Sequence, residues 1–223
     1  MDEKIYFNNN NGDKLSAILS VPEDNSTKSI AILCHGLNSG KDSKTYSALN
    51  NILLNNNIAT FRFDFYAHGE SEGKIEDRSL EEFVEDVLKA IEYVKDKGYN
   101  NIGICGTSFG GVASVVAASK NNNIKTLVLK STGMGQTSRK MSNYIKHFES
   151  KSWIKAGEKI NIPTLILHGT HDTDVEIELA EELHKAIKTS KLNIYNEADH
   201  RFTKQEDFDK SIKEISEFII KNI

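Results

Sequence analysis

The stretch that decides the fold runs from Ile102 to Gly111 and reads Ile-Gly-Ile-Cys-Gly-Thr-Ser-Phe-Gly-Gly. It joins a short apolar run, typical of a buried strand, to a helical pattern over residues 109–120. Between the two, Gly106, Ser108 and Gly110 have the spacing Gly-x-Ser-x-Gly. A serine in a sharp strand-to-helix turn is held out from the sheet, and glycines on both sides give the backbone room for that turn. This context predicts that Ser108 is an accessible nucleophile.

Outside this turn, short apolar runs alternate with helical patterns along the whole chain. The predicted strands cover 3–8, 14–21, 29–34, 58–63, 101–105, 124–130, 162–168 and 191–196, and the predicted helices cover 43–55, 80–94, 109–120, 175–188 and 206–221. Asn11-Gly12 favours an antiparallel hairpin between the first two strands. The later alternation favours parallel strands with helices on both faces. We therefore predict one α/β domain over residues 1–223, with a mostly parallel eight-stranded sheet.

One interval is longer than an ordinary crossover between strands. About 30 residues separate Lys130 from Ile162. We predict a small cap at about 131–161, between strands six and seven, whose apolar side chains line a substrate site because flexible thioethers and rings suit adaptable pockets. These side chains are Met134, Met141, Tyr144, Phe148 and Trp153. A longer crossover helix packed on the sheet, or a cap with these residues as its own core, are the alternatives.

Composition excludes several classes of protein. The 223 residues contain 28 Lys+Arg and 32 Asp+Glu, a net charge of −4, which argues against a nucleic acid partner. No apolar run approaches the roughly 18 residues of a membrane span, and the acidic N-terminus lacks a signal peptide's apolar stretch. The two cysteines, Cys34 and Cys105, both lie in apolar runs and favour a buried, reduced state. We expect a cytoplasmic protein without a membrane partner.

An acid and a histidine follow two late strands. Asp172 comes after the strand at 162–168, and His200 comes after the strand at 191–196. Because loops at the carboxyl ends of parallel strands share one edge of the sheet, both side chains can meet Ser108 there. A serine hydroxyl needs a general base, which predicts His200, and the base needs an orienting acid, which predicts Asp172. Asp174 and Asp199 are the alternative acids.

The chain also offers two backbone amides for an oxyanion. His35-Gly36 ends an early strand, so the amide of Leu37 is one predicted donor, and the amide of Phe109 at the start of a helix is the other. We predict that His35 and His68 form structural hydrogen bonds near this loop. The spacing His168-x-x-His171 beside Asp172 could suggest a metal site, but no set of three ligands emerges, so we predict neither metal nor cofactor.

These motifs, in the order Ser108, Asp172, His200, resemble those of the α/β-hydrolases of the serine esterase kind. The resemblance covers nearly the whole chain. Residues 62–73 include a segment similar to the family's Asp-x-x-Gly-His-Gly-x-Ser, with Ala67 where glycine is usual. Among subfamilies, the chain is most similar to compact bacterial cinnamoyl and feruloyl esterases, which commonly read Gly-His-Ser-x-Gly where this chain has Thr107.

The resemblance implies a carboxylic ester hydrolase that cleaves small or aromatic acyl esters through an acyl-enzyme on Ser108. Thioesterase, monoacylglycerol lipase and aminopeptidase activities are alternatives, because the same three residues serve them all. A non-catalytic ligand-binding relative is the alternative from another class of protein. We expect a small-molecule ester as the binding partner, and a monomer or homodimer.

Overall fold

The computed structural model describes residues 2–23, 26–134 and 152–223. Within these ranges, eight strands form one sheet in the order β1-β2-β4-β3-β5-β6-β7-β8. The strands are β1 (Asp2–Asn8), β2 (Lys14–Ser20), β3 (Ser29–Cys34), β4 (Ala59–Phe63), β5 (Asn101–Thr107), β6 (Ile124–Lys130), β7 (Thr164–Gly169) and β8 (Ser190–Tyr195). β2 pairs antiparallel with β1 and β4, and all later neighbours are parallel. This confirms the predicted α/β sheet.

The strand order reverses between β3 and β5. The chain runs from β3 outward to β4 and then returns to place β5 on the other side of β3. Loops that leave two neighbouring strands in opposite directions open a crevice at the carboxyl edge of the sheet. The segment after Cys34 and the turn after Thr107 both lie at this crevice.

Helices cover both faces of the sheet. They are α1 (Lys44–Asn55), α2 (Leu80–Asp96), α3 (Phe109–Lys120), α4 (Ser152–Gly157), α5 (Ile177–Ala186) and α6 (Gln205–Asn222), with a short 3₁₀ helix at Ile75–Asp77. α1 and α6 pack together on one face, and α2, α3, α4 and α5 cover the other. The helices predicted from periodicity all occur, with bounds that differ by at most two residues.

The core has an aromatic cluster on the α2–α3 side. Phe61, Phe63 and Phe65 are fully buried, and Phe83 contacts both Phe65 and Phe109 with ring centroids 4.7 Å apart. These rings add large apolar areas to the contact between the sheet and its helices. All three phenylalanines of residues 61–65 therefore belong to the core.

Cys34 and Cys105, which the sequence predicts to be buried and reduced, occupy the neighbouring strands β3 and β5. Both thiols are free and buried, and burial raises the pKa of each to about 12. A thiol with such a pKa stays protonated at neutral pH and is a poor nucleophile.

The first hairpin differs from the tight turn that Asn11-Gly12 favours. Five residues, 9–13, connect β1 to β2, and in this loop only Gly12 has a positive φ, at 89°. The Asn9 side-chain oxygen accepts from the N–H groups of Asn11 and Asp13 at 3.0 and 2.9 Å. A tight two-residue turn would need a positive φ at both Asn11 and Gly12. Because the two bonds from Asn9 close a wider loop, Asn11 does not need one.

The predicted cap is described only at its edges. Met141, Tyr144 and Phe148 lie outside the described residues, whereas α4 packs against α3 and α5 on one face of the sheet. Among the helices of the described ranges, none is both long and apolar enough to cross a membrane.

Candidate active site

Ser108 forms the turn between β5 and α3. Its φ of 51° and ψ of −122° lie in a region that residues with a Cβ rarely occupy. A Cβ on Gly110 would overlap the carbonyl oxygen of His35, and one on Gly106 would lie 2.6 Å from the Cα of Gly111. The Gly-x-Ser-x-Gly spacing therefore reflects close backbone approach on both sides of the serine.

The side chains of Ser108, His200 and Asp172 form one chain of hydrogen bonds. His200 Nε2 lies 3.1 Å from Ser108 Oγ, and His200 Nδ1 lies 2.8 Å from Asp172 Oδ2. The Asp172 side chain is 1% exposed and the His200 side chain 18%. The other carboxylate oxygen accepts from the N–H groups of Asp174 and Val175, which fixes its orientation. An imidazole that donates from Nδ1 to a carboxylate keeps Nε2 available to accept a proton from serine.

The two alternative acids occupy other positions. The Asp199 carboxylate accepts from the N–H groups of Arg201 and Thr203 at 3.1 and 2.8 Å, so it stabilises its own loop. Asp174 follows the Asp172 loop and lines the cavity described below. The carboxylate that contacts the His200 ring is that of Asp172.

The predicted oxyanion amides lie beside Ser108. Phe109 is the first residue of α3, and the first N–H groups of a helix have no acceptor within the helix. Gly36, which precedes Leu37, packs so closely that a Cβ there would lie 3.1 Å from Ser108 Cβ. The peptide groups of Leu37 and Phe109 are therefore both neighbours of the serine.

His35 fixes the peptide that carries the Leu37 amide. Its Nε2 accepts from the N–H of Phe65 at 3.1 Å, so its Nδ1 carries the proton and donates to the Gly36 carbonyl at 2.8 Å. Burial lowers the pKa of His35 to about 3, and the ring is neutral. Because a peptide is planar, holding the Gly36 carbonyl also holds the Leu37 N–H. The predicted structural role of His35 is confirmed.

His68 contacts the other side of the same loop. Its Nε2 lies 2.7 Å from the Leu37 carbonyl and its Nδ1 lies 2.9 Å from the Tyr66 carbonyl. Burial lowers its pKa, so the ring is neutral at pH 7 and has one proton to donate. The shorter contact is the one to Leu37, which confirms His68 as a structural hydrogen-bonding residue of this loop.

A buried ion cluster connects the loop after β3 to the loop after β4. Lys41 Nζ lies 2.5 Å from Asp64 Oδ2 and 2.6 Å from Glu70 Oε2, and the Lys41 backbone N–H donates to Asp64 at 2.8 Å. Asp64 is 1% exposed and Lys41 4%. Asp64 and Glu70 belong to the segment that resembles Asp-x-x-Gly-His-Gly-x-Ser, so this segment supports the loop that contains Leu37 and Lys41.

Ala67 occupies the position of that segment where glycine is usual. Its φ is 56°, in the left-handed region where glycine is favoured. The usual glycine is therefore a conformational requirement, and alanine meets it at the cost of some strain.

A cavity of about 520 Å³ opens beside Ser108 and His200. Its wall includes Leu37, Lys44, Thr107, Lys130, Ser131, Asp174, Val175, Arg201, Phe202 and Phe208. Met134 and Trp153, which the sequence predicts as substrate-binding, are 6% and 1% exposed and belong to the core under α3. They are not among the residues that line this cavity.

Two residues that the sequence analysis did not single out, Lys130 and Ser131, connect the parts of the site. The Lys130 carbonyl accepts from the Ser108 N–H at 2.9 Å, and Ser131 Oγ donates to the His200 carbonyl at 2.9 Å. Lys130 Nζ also lies 3.3 Å from the Arg201 carbonyl. In the sequence, the one feature that could have indicated Lys130 is its position directly after the apolar run Leu127-Val128-Leu129.

His168 does not extend the site to a metal. Its Nε2 faces the Val175 carbonyl at 3.0 Å and lies 3.4 Å from Asp172 Oδ2. Within the described ranges, no group of three or more possible ligands surrounds a common point.

The sheet order, the serine turn after β5, and the acid and histidine loops at the same edge define an α/β-hydrolase. The family model described as "Serine aminopeptidase, S33" matches residues 25–156, more than half of the chain. The chain therefore belongs to the serine aminopeptidase S33 family and is a hydrolase.

Solved structures with the same fold include several esterases. Est1E from Butyrivibrio proteoclasticus with bound ferulic acid has a TM-score of 0.83 and 22% identity, over 98% of each chain. The esterase Pf2001 from Pyrococcus furiosus has a TM-score of 0.82 and 22% identity, over 100% of this chain and 93% of its own. The esterase domain of a Rhodothermus marinus protein has a TM-score of 0.80 and 19% identity, over 100% and 99%. Among the curated proteins, none matches the chain.

Proposed function

We propose that this protein is a serine hydrolase of carboxylic esters, with Ser108 as nucleophile, His200 as general base and acid, and Asp172 as the residue that orients the imidazole. The observation that carries this proposal is the continuous contact from Ser108 Oγ through His200 to the buried Asp172 carboxylate. A serine hydroxyl is a weak nucleophile at neutral pH, and this arrangement is the one that activates it.

In the first half of the reaction, Ser108 Oγ attacks the acyl carbon while its proton moves to His200 Nε2. The new C–O bond places a negative charge on the former carbonyl oxygen, and the N–H groups of Leu37 and Phe109 stabilise it. The bond to the alcohol then breaks, and the alcohol leaves with the proton from His200. The acyl group remains on Ser108 as an ester.

In the second half, water replaces the alcohol. His200 takes a proton from the water, whose oxygen attacks the acyl carbon, and the same two amides stabilise the second oxyanion. The bond to Ser108 Oγ breaks, His200 returns the proton to the serine, and the carboxylic acid leaves. Asp172 stabilises the charged imidazole in both halves.

We infer that the acyl group is small or aromatic. The cavity volume of about 520 Å³ suits a small-molecule ester, and Phe202 and Phe208 contribute aromatic rings to its wall. A further support is the fold similarity to Est1E, whose structure contains ferulic acid.

The family description favours one second candidate, the hydrolysis of an N-terminal amino acid amide. The same three residues can cleave amides, and thioesters and monoacylglycerols can enter the same chemistry. A ligand-binding relative without catalysis would lack an activated serine. A fluorophosphonate probe separates this class, because it labels only an activated serine.

The test is kcat/KM for methyl ferulate, 4-nitrophenyl butyrate and leucine 4-nitroanilide on the wild type and on Ser108→Ala. We expect both esters to be cleaved, with a loss on the order of 10⁴ to 10⁶ in the variant. Ser119→Ala is the matched control, because Ser119 lies on α3 and its hydroxyl donates to the Val116 carbonyl instead of facing His200. Cleavage of the anilide alone would favour the aminopeptidase, and ester cleavage that persists in Ser108→Ala would refute the proposal.

A further inference from the structure

Lys130 carries a buried ammonium group and is one of the residues that line the cavity. It is the last residue of β6 and is 4% exposed. Its Nζ has one hydrogen bond, to the Arg201 carbonyl at 3.3 Å, and lies 4.2 Å from the centre of the Phe202 ring. No carboxylate of the described residues lies within ion-pair distance of it. Two of its three N–H donors therefore have no acceptor among these residues.

Lys41 shows what a buried lysine requires. Both lysines are 4% exposed, but Lys41 has two carboxylate oxygens within 2.6 Å. The pKa of Lys41 is raised although its burial opposes this, because the bonds to Asp64 and Glu70 outweigh the burial. Burial lowers the pKa of Lys130 to about 8, although Cys105, Asp199 and Asp172 act in the other direction. A buried cation without a counterion is costly, and proteins keep such groups mainly at functional sites.

Lys130 lies beside the proposed nucleophile and base. Its backbone carbonyl accepts from the Ser108 N–H, and Lys130 is one of the residues that line the same cavity as Ser108 and His200. Lys44 and Arg201 add two cations to the wall of this cavity, whereas Asp174 is its only Asp or Glu among the residues described. A negative group on a substrate would supply a counterion, which the described residues do not give to Lys130.

We propose that Lys130 binds a carboxylate carried by the ester substrate, so that this hydrolase prefers esters with a negatively charged substituent. The inference rests on the proposed function and names its substrate class. A carboxylate matches Lys130 better than a phosphate, because one ammonium balances the single charge of a carboxylate, whereas a phosphate group carries about −1.5 to −2 at pH 7.

The test compares pairs of esters that differ in charge and little in shape, at pH 7.0. On the acyl side, 4-nitrophenyl hydrogen glutarate is paired with 4-nitrophenyl valerate. On the alcohol side, 4-acetoxybenzoate is paired with 4-acetoxybenzamide. For each pair, the quantity measured is the ratio of kcat/KM for the charged ester to kcat/KM for the neutral one, in the wild type and two variants.

We expect the wild type to favour the charged ester in one pair, and Lys130→Met to lower that ratio by roughly tenfold to a hundredfold, the size of a lost charge-assisted hydrogen bond. Lys125→Met is the matched control, because Lys125 is an exposed lysine on the same strand and should leave the ratio as it is. Circular dichroism and the rate of fluorophosphonate labelling at Ser108 show whether each variant is folded.

Three outcomes overturn the inference. The wild type could prefer the neutral ester in both pairs, which decides the matter even if Lys130→Met fails to fold. Lys130→Met could lower both members of a pair equally, which would leave Lys130 a support of the Arg201 loop only. Finally, the absence of Ser108-dependent cleavage of all four esters would refute the proposed function together with the inference, whereas Ser108-dependent cleavage without a charge preference refutes the inference alone.

Discussion

Two halves of the site are held in place by different kinds of contact. Residues 35–41 and 64–70, named the oxyanion side after the role proposed for Leu37, contain two buried neutral histidines bonded to backbone groups and the buried Lys41–Asp64 ion pair. Residues 170–175 and 197–203, named the proton-transfer side after the roles proposed for Asp172 and His200, form the other half. Its loops are connected to β6 by single bonds from Lys130 and Ser131 to backbone carbonyls. The first side thus depends on a buried ion pair and two buried imidazoles. The second depends mainly on hydrogen bonds within its own loops, such as those that Asp172 and Asp199 accept from backbone N–H groups.

This difference follows from what each side has to do. Amides that stabilise an oxyanion are effective because they already point at the charge before it forms, so rigid support lowers the barrier. A histidine must accept a proton from the serine and then donate it to a leaving group, which needs correct hydrogen bonds more than rigidity. Changes on the proton-transfer side should therefore reduce turnover, and changes on the oxyanion side should first reduce stability.

The largest expected effect is that of Asp172→Asn. The amide removes the negative charge that stabilises the imidazolium and disturbs the proton position on His200, so kcat should fall by roughly 10⁴ while the fold persists. The measurement is kcat with 4-nitrophenyl butyrate beside a urea unfolding curve. Asp209→Asn is the control, since Asp209 is exposed and accepts only from Gln205. If kcat falls less than tenfold in Asp172→Asn, another residue must be the acid that orients His200.

On the oxyanion side, Lys41→Met should chiefly reduce stability. It leaves the buried Asp64 carboxylate without its cation, and breaking a buried ion pair costs about 3–5 kcal/mol of unfolding free energy. The control is Lys4→Met, which removes the exposed pair of Lys4 with Glu70 and should cost much less, because solvent screens an exposed ion pair. Both values come from urea unfolding. Equal costs for the two variants would contradict the view that the cluster supports this side.

Ser131→Ala tests the single contacts of the proton-transfer side. Without its hydroxyl the His200 carbonyl loses a donor, so the ring should lose its position and kcat should fall about tenfold with little change in KM. The rate of fluorophosphonate labelling at Ser108 should fall in parallel, because it reports activation by His200. Ser216→Ala removes a similarly buried hydroxyl, bonded to the Lys213 carbonyl, and should leave both rates as they are. Loss of stability without loss of labelling would make Ser131 merely structural.

Much of this architecture was predictable from local patterns. Strands and helices follow from the alternation of apolar residues, because a sheet covered on both faces leaves continuous apolar runs. The order of Ser108, Asp172 and His200 predicts the site because the carboxyl edge of the sheet gathers loops that are distant in sequence. The turn at Ser108 could be predicted from the glycines on either side of the serine alone.

Other features depend on tertiary contacts that no local pattern contains. Ser131 contacts a carbonyl 69 positions later in the chain, and Lys130 is unusual only because no carboxylate of the described residues is near it in space. The burial of Trp153 in the core instead of the cavity wall depends likewise on how α4 packs on its neighbours. An apolar residue in a predicted cap is compatible with either place.

The smallest expected effect concerns Ala67, on the oxyanion side. With φ at 56°, alanine pays for a left-handed backbone that glycine adopts without strain, although glycine loses more entropy on folding. Ala67→Gly should therefore raise the unfolding free energy by roughly 0.5–1 kcal/mol, with kcat for 4-nitrophenyl butyrate nearly the same. The control is Ala48→Gly, because Ala48 lies in the middle of α1 and glycine there should destabilise by about 1 kcal/mol. If both glycines destabilise equally, the backbone at residue 67 is not strained.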